Sequence, residues 1–348
     1  MNKINPLDTE NMAGFIATLP NDLSNAWQQG KQKELTAFPK IQKILISGMG
    51  GSAIGGDMFA SYLAGFASVP VISYRNYGLP AWANGPDTMV VCSSHSGNTE
   101  ETLSSFKAAR ENGCSLLAIS TGGTLQKEAL AWGITHWHFN HNGQPRTAIG
   151  WSFGLLLALA ERIRVVDDQE KAVQEAVVVM QKQDQLLEPA KSLSENPAKR
   201  LAGQLLGRNM VVFAAGGLEV IARRWKSQFN ELSKAWASFE GIPEMNHNTL
   251  AGLVNPEALF DKTSAIFLRA EMDHPRNKKR NDLSMQFFLQ AGIGVDSVTA
   301  MGAGRLAQMW SLLQFGDYVS YYLALNYGVD PTPVEILGVL KAALAKEK

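Results

Sequence analysis

Cysteine is nearly absent from the chain. Its two thiols, Cys92 and Cys114, are too few for a disulfide framework or a thiolate metal cage, and they suit a reducing compartment. An excess of charge of either sign is missing too. The 32 Lys and Arg offset 32 Asp and Glu to a formal +0, so no overall field draws the protein to nucleic acid or anionic lipid. Any anionic ligand must be recognised locally. Long apolar runs are also lacking. The greasiest stretch, WSFGLLLALA at 151–160, is too short to cross a bilayer, and the opening MNKINPLDTENMAGF has no apolar core of the kind a targeting signal carries. These absences point to a cytoplasmic chain with neither nucleic acid nor membrane as partner. No Gly-Lys-Ser or Gly-Lys-Thr follows a glycine-rich run, which removes Walker-type ATP chemistry.

What is present is a globular composition, 45% hydrophobic and 18% charged over 348 residues, enough for about two domains of ordinary size. Strand, turn and helix alternate along it. Residues 41–58, IQKILISGMGGSAIGGDM, open with a buried-strand run, Ile44-Leu45-Ile46, then pass through a glycine-rich turn into a helix. VPVISY (69–74) is a further strand. TMVVCSSHSGNTEETLSSFKAA (88–109) reads as strand, hydroxyl-rich turn and helix, and GCSLLAIS (113–120) as the next strand. After a loop, the segment around 149–163 is a buried helix, and 168–187 an amphipathic connecting helix. The second half repeats the plan: NMVVFAAGG, then a helix over 218–234, TSAIFLRA, a helix over 280–292, and IGVDSVTA. The alternation implies an α/β protein with a doubly wound parallel sheet in each half. The spans expected are a helical segment at 1–40, a first domain at 41–165, connecting helices at 166–208, a second domain at 209–330 and a C-terminal helix at 331–348. Thr332, Pro333 and Glu335 form a capping box that starts this last helix at Pro333 and carries it to about Lys346.

Two turns look built for a phosphate. In Gly48-Met49-Gly50-Gly51-Ser52 the glycines allow close backbone approach, and the following helix points free N–H groups at the turn. Ser93-Ser94-His95-Ser96-Gly97-Asn98-Thr99 ends another strand and offers the hydroxyls of Ser94, Ser96 and Thr99 beside the next helix start. Both lie at carboxyl ends of parallel strands, where open sheets bind ligands. The plain alternatives are a tight ligand-free turn for the first and a serine-rich turn capped by Thr99 for the second. Gly48-x-Gly50-x-x-Ala53 also fits a degenerate dinucleotide fingerprint. However, the next strand ends in Ser73-Tyr74-Arg75-Asn76 without a ribose-binding acid, so only an NADP reading through Arg75 survives.

Six segments in order, GMGGSAIGGD, SSHSGNTEET, PRTAIGWSFG, KSQFNELSK, EMNHN and GVDPTPVE, closely resemble the bifunctional phosphoglucose/phosphomannose isomerase family. The likeness spans about residues 44–341. It implies two sugar isomerase (SIS) domains, a homodimer, and aldose–ketose isomerisation of a hexose 6-phosphate without metal or other cofactor. By that resemblance Gly50, Gly51, Ser52, Ser94, Ser96 and Thr99 hold the substrate, chiefly its phosphate, and Arg146 lies beside the reacting carbons. Glu231 is the base, His247 opens the sugar ring from the neighbouring subunit, and Lys341 is the positional match for a lysine of the C-terminal helix. His95 occupies a slot more often tyrosine in relatives.

The residue types suit the chemistry. Moving a proton between C1 and C2 needs a carboxylate at the carbons, and Glu231 supplies one. The enediolate needs a fixed cation, and Arg146 stays protonated. Ring opening needs a proton shuttle, and histidine titrates in the right range. Without the resemblance Glu231 would be an ordinary helix glutamate, His247 part of a hydrogen-bonded turn and Arg146 a surface arginine. A phosphosugar sensor that binds without turnover and an NADP-dependent oxidoreductase are the competing functions. Three further features take plain readings. His136, His138 and His141 are spaced like metal ligands but also suit a half-buried strand end, HPRNKKR (274–280) reads as a solvated loop, and Ala214-Ala215-Gly216-Gly217 lacks hydroxyls for a second phosphate. Phosphate binding is thereby assigned to the first domain and proton chemistry to the second, with the pocket expected between them.

Overall fold

The computed structural model describes residues 5–344 and 346. The elements run α1 (Met12–Gln32), β1 (Lys43–Ser47), α2 (Gly50–Leu63), β2 (Val71–Tyr74), β3 (Thr88–Ser93), α3 (Glu100–Glu111), β4 (Ser115–Ser120), α4 (Gly123–Ala131), β5 (His136–His138), α5 (Ile149–Arg162) and α6 (Glu170–Leu187). They continue with α7 (Pro197–Leu205), β6 (Asn209–Ala215), α8 (Glu219–Glu231), β7 (Ala237–Ile242), β8 (Thr263–Arg269), α9 (Pro275–Gln290), β9 (Gly294–Thr299), α10 (Arg305–Asn326) and α11 (Glu335–Leu344). None of the described helices is long and apolar enough to cross a membrane.

Two compact units emerge. One comprises Thr18–Gln181 and Met301–Ser311 and holds the first sheet; the other comprises Met1–Ala17, Lys182–Ala300 and Leu312–Lys348 and holds the second. Each unit thus contains more than the contiguous stretch expected around its sheet. The reason is specific bonding. Arg305 donates to the Ser61 carbonyl at 2.9 Å, and the Glu175 carboxylate accepts the N–H groups of Ala303 and Gly304, which hold 301–311 to the first-sheet unit. Thr9 donates to Asp330 and fastens the chain start to the second-sheet unit.

The first sheet is parallel throughout, in the order β2-β1-β3-β4-β5. Its inner strands β3 and β4 are buried at every residue, which their near-continuous apolar sequences require, while β2 and β5 are partly exposed edges. Helix α5 is apolar all round and buried from Ile149 to Ala160. Small residues bring its neighbours close: a Cβ on Gly55 of α2 would lie 2.7 Å from Ser152 Cβ, and one on Gly154 would lie 2.7 Å from Ala26 Cβ of α1. Here the backbone freedom that glycine brings to a helix is offset by tight packing.

The second sheet is also parallel, in the order β7-β6-β8-β9. Phe213 and Phe267 stack at 4.8 Å with Phe288 edge-on to both, filling the space under α9. Helix α8 is fastened to α10 by a fully buried ion pair, Arg224 Nη2 to Asp317 Oδ2 at 2.8 Å, and by Trp225 Nε1 donating to the Leu312 carbonyl at 2.9 Å.

The architecture is the expected α/β class; one strand was not expected and two local expectations change. Strand β7 (ASFEGI) has no apolar run because it is an edge strand with a mixed burial pattern. HPRNKKR is not a loop: His274 accepts the Arg276 N–H and Pro275 takes the first helical position, so the basic run opens α9. The final helix starts at Glu335 instead of Pro333, because the Asp330 carboxylate accepts the Thr332 N–H at 2.8 Å and holds that segment in a bend. Its expected end near Lys346 falls partly outside the described residues.

Removing one half of the Arg224–Asp317 pair leaves a buried charge uncompensated. Asp317→Ala should therefore destabilise the second-sheet unit by about 3–5 kcal/mol, read as a lower urea midpoint. A loss below about 1 kcal/mol would mean that solvent reaches the guanidinium.

Candidate active site

In the first sheet the chain passes from β1 to β2 on one side and then crosses to β3 on the other side of β1, so the strand order reverses between β1 and β3. A crevice opens at such a switch point beyond the strand ends. Both turns singled out in the sequence are located there. Gly50 has φ +52°, and a Cβ on Gly51 would lie 2.4 Å from the Pro145 carbonyl oxygen and 3.0 Å from Arg146 Cα. Glycine at 51 is what lets the segment carrying Arg146 close on the start of α2. That segment is a single 3-10 turn, Pro145–Thr147, with Arg146 and Thr147 both buried.

The second turn is cross-braced. Ser94 Oγ lies 2.9 Å from Thr99 Oγ1 and accepts the Gly97 N–H at 3.1 Å. Ser96 is exposed and accepts the Asn98 N–H at 3.2 Å, while Asn98 accepts both the N–H and the hydroxyl of Thr124 at 3.0 Å. Ser52 Oγ accepts the His95 N–H at 3.2 Å and so joins the first turn to the second. Neither Met49 nor Thr99 places a side-chain cap on its helix, so the capping alternative for Thr99 does not hold. The first-turn N–H groups of α2 and α3 and the neighbouring hydroxyls are donors of the kind a compact multi-oxygen anion requires.

The three clustered histidines diverge. His136 Nε2 is 2.8 Å from Ser120 Oγ, His138 Nε2 is 2.8 Å from Asn140 Oδ1, and His141 pairs with His95 and Thr147 at 3.1 and 3.3 Å. Among the described residues no three His, Cys, Asp or Glu side chains group to hold a metal ion. Burial pushes His136 down to about 4, helped by His138 and Lys33, and pushes His141 to about 4, helped by His95. Sequence reasoning missed the His95–His141–Thr147 contact. Its only signal was the third histidine of the H-x-H-x-x-H run.

Glu231, His247 and Lys341 sit on three separate elements of the second-sheet unit. Glu231 is the last residue of α8 and half-buried, and Lys234 donates to the Glu231 backbone carbonyl at 2.7 Å, closing the helix end. Ser233 donates to the Ser320 carbonyl at 2.7 Å, so the end of α8 is pinned to α10. His247 is exposed on the 3-10 turn Glu244–His247, whose Asn246 donates to Ser284 Oγ at 2.7 Å. Lys341 is exposed on α11. The structure brings Gly51, Ser52, Ser94, Thr99 and Arg146 together in the first-sheet unit, whereas Glu231, His247 and Lys341 belong to the second-sheet unit.

Residues 194–344 match the family described as bacterial phospho-glucose isomerase C-terminal SIS domain. A solved tagatose-6-phosphate ketose/aldose isomerase from Escherichia coli superposes with a TM-score of 0.66 at 16% identity, covering 94% of this chain and 96% of that one, a likeness of fold alone. Parallel sheets with a hydroxyl-lined turn at the switch point, together with these matches, define a sugar-isomerase-domain protein. Among curated proteins, the bifunctional phosphoglucose/phosphomannose isomerase of Caldicellulosiruptor bescii is 36% identical over 96% of this chain and 98% of its own length. That of Aquifex aeolicus is 34% identical over 90% and 93%. The chain belongs to the bifunctional phosphoglucose/phosphomannose isomerase family.

Two expectations follow from the geometry. A Cβ on Gly97, at φ +68°, would fall 1.8 Å from the Gly122 carbonyl oxygen. Gly97→Ala should destabilise the first-sheet unit by roughly 1–3 kcal/mol in urea unfolding and weaken competitive inhibition by inorganic phosphate; unchanged inhibition would remove the turn from the binding site. The second concerns pH. His136 and His141 bind protons more weakly folded than unfolded, so both states are neutral above the ordinary value of 6.5 and the unfolded chain gains protons first as pH falls toward about 4. Stability should drop across that window, and His136→Gln should lose its share of the slope between about pH 7 and pH 4.5.

Proposed function

We propose that the protein interconverts glucose 6-phosphate and mannose 6-phosphate with fructose 6-phosphate, and that it does so in the cytoplasm as a homodimer. The observation that carries this reading is the convergence of Ser52, Ser94, Thr99 and Arg146 at one switch point, in a chain of this family. Phosphate binding belongs to the first-sheet unit: Gly50, Gly51, Ser52, Ser94, Ser96 and Thr99 surround the phosphoryl oxygens. Proton chemistry belongs to the second.

In this reading His247, reaching the site of a second copy, transfers the proton that opens the pyranose ring. Glu231 takes the C2 proton of the open aldose and returns it to C1, while the O2 hydroxyl proton passes to O1, so the C1 aldehyde becomes an alcohol and the C2 alcohol a ketone. Charge on the enediolate oxygens faces the Arg146 guanidinium, which needs no reorganisation as the charge develops. Lys341 adds a second cation. Glucose and mannose 6-phosphates differ only at C2 and share one enediol, so returning the proton to either face of C2 accounts for two aldoses.

The NADP alternative meets a specific obstacle. Arg75 donates from both Nη atoms to the two carboxylate oxygens of Asp57, at 2.8 and 2.5 Å, so its fork is already engaged. In an assay with chelator present, wild type should convert both aldose phosphates. Glu231→Gln should lose about 10²–10⁴ in kcat while still binding the sugar. Binding of both sugars by wild type without turnover of either would replace the isomerase with the sensor.

A further inference from the structure

His95 lies inside the phosphate turn and is tied there by its backbone. Its N–H donates to Ser52 Oγ at 3.2 Å, and its carbonyl accepts the Thr121 N–H at 3.0 Å and hydroxyl at 2.7 Å. The ring reaches out of the turn. Its Nε2 is 3.1 Å from His141 Nδ1, with the rings nearly perpendicular at 87°, and His141 Nε2 is 3.3 Å from Thr147 Oγ1. Thr147 follows Arg146 directly and donates to the Gln144 carbonyl at 2.8 Å, closing the 3-10 turn. Phe139 packs edge-on to the His95 ring and stacks on Trp151 of α5, an apolar wall that limits where the ring can go.

The reaction described above uses neither imidazole. Two neutral rings share one N–H···N bond, whereas two imidazolium rings present only donors to each other. Burial holds both histidines below the ordinary value, so the neutral, bonded pair is the form present near neutral pH. A three-residue turn has few backbone bonds of its own, yet charge stabilisation demands placement to a fraction of an ångström.

We propose that His95, His141 and Thr147 form a positioning relay that ties the placement of Arg146 to the phosphate turn, so that the turn which receives the phosphate also sets the guanidinium. The inference rests on the isomerase reading and adds two positioning residues to it, His95 through its ring and His141 through both nitrogens. The slot filled by His95 is thereby given a role specific to a chain that also carries a histidine at 141.

The test is a double-mutant cycle on the full chain. Steady-state turnover of both aldose phosphates, competitive inhibition by inorganic phosphate and thermal midpoint are measured for wild type, His141→Phe, Arg146→Ala and the double variant. His141→Phe should lower kcat about 10- to 100-fold, with phosphate inhibition within about twofold of wild type and the thermal midpoint retained. In the Arg146→Ala background the same change should have no further effect, and His141→Gln, which keeps a donor for Thr147, should recover part of the loss. Additive losses in the double variant would overturn the relay, as would a fall in phosphate affinity matching the fall in kcat. If His141→Phe does not fold, Thr147→Val carries the same cycle. A wild type that turns over neither sugar overturns the isomerase reading and the relay together, whereas an active wild type matched by His141→Phe overturns the relay alone.

Discussion

Four backbone segments meet beyond the carboxyl ends of β1, β3 and β4, and they meet because the places of contact have no room for a Cβ. At Gly51 the obstacle would be the Pro145 carbonyl, at Gly97 the Gly122 carbonyl, and at Gly123 the Ser96 carbonyl, 2.3 Å from an added Cβ. This close approach gathers the turns at the switch point of the first sheet. Hydroxyls then lock what the glycines permit. Ser52 ties the first turn to His95 of the second, Ser94 ties the two ends of the second turn, and Asn98 ties it to the start of α4. Arg146 lies beside the start of α2, buried on a single 3-10 turn.

In the second-sheet unit the feature to explain is the anchoring of α8, whose last residue is Glu231. Helix ends fray, so a residue such as Glu231 needs its last turn anchored. Arg224 with Asp317, Trp225 with the Leu312 carbonyl, and Ser233 with the Ser320 carbonyl supply three such anchors along α8 to one partner helix. The ion pair is expensive to desolvate and adds little net stability against an apolar pair, but its two-point geometry allows one register between α8 and α10. Burying a charge there is intelligible as orientation of the helix more than as strengthening of the core.

Much of this was legible in the amino-acid order. Runs such as KILIS, TMVVCS and SLLAIS carry a period and composition that only buried parallel strands satisfy, and glycines and hydroxyls directly after them mark the turns. Elements without such marks escaped. Strand β7 lies at an edge, so nothing selects an apolar run in ASFEGI, and the HPRNKKR run conceals a helix start because a histidine ring serves as cap where serine or aspartate is the usual cue.

By itself the sequence determined the α/β class, the two parallel sheets, the positions of both turns and the list of residues able to bind an anion or move a proton, because those depend on local chain chemistry and side-chain period. Tertiary structure alone decided which of them share a place. The approach of Arg146 to Gly51 spans nearly a hundred residues of chain, and the bond between His95 and His141 converts what reads as a metal-like histidine spacing into a contact between two loops. Spacing along a chain reports which side chains share one face of one element. It carries no information on which elements fold against each other, and that depends on the packing of α2 on the first sheet, of α5 on α2 and of α1 on α5.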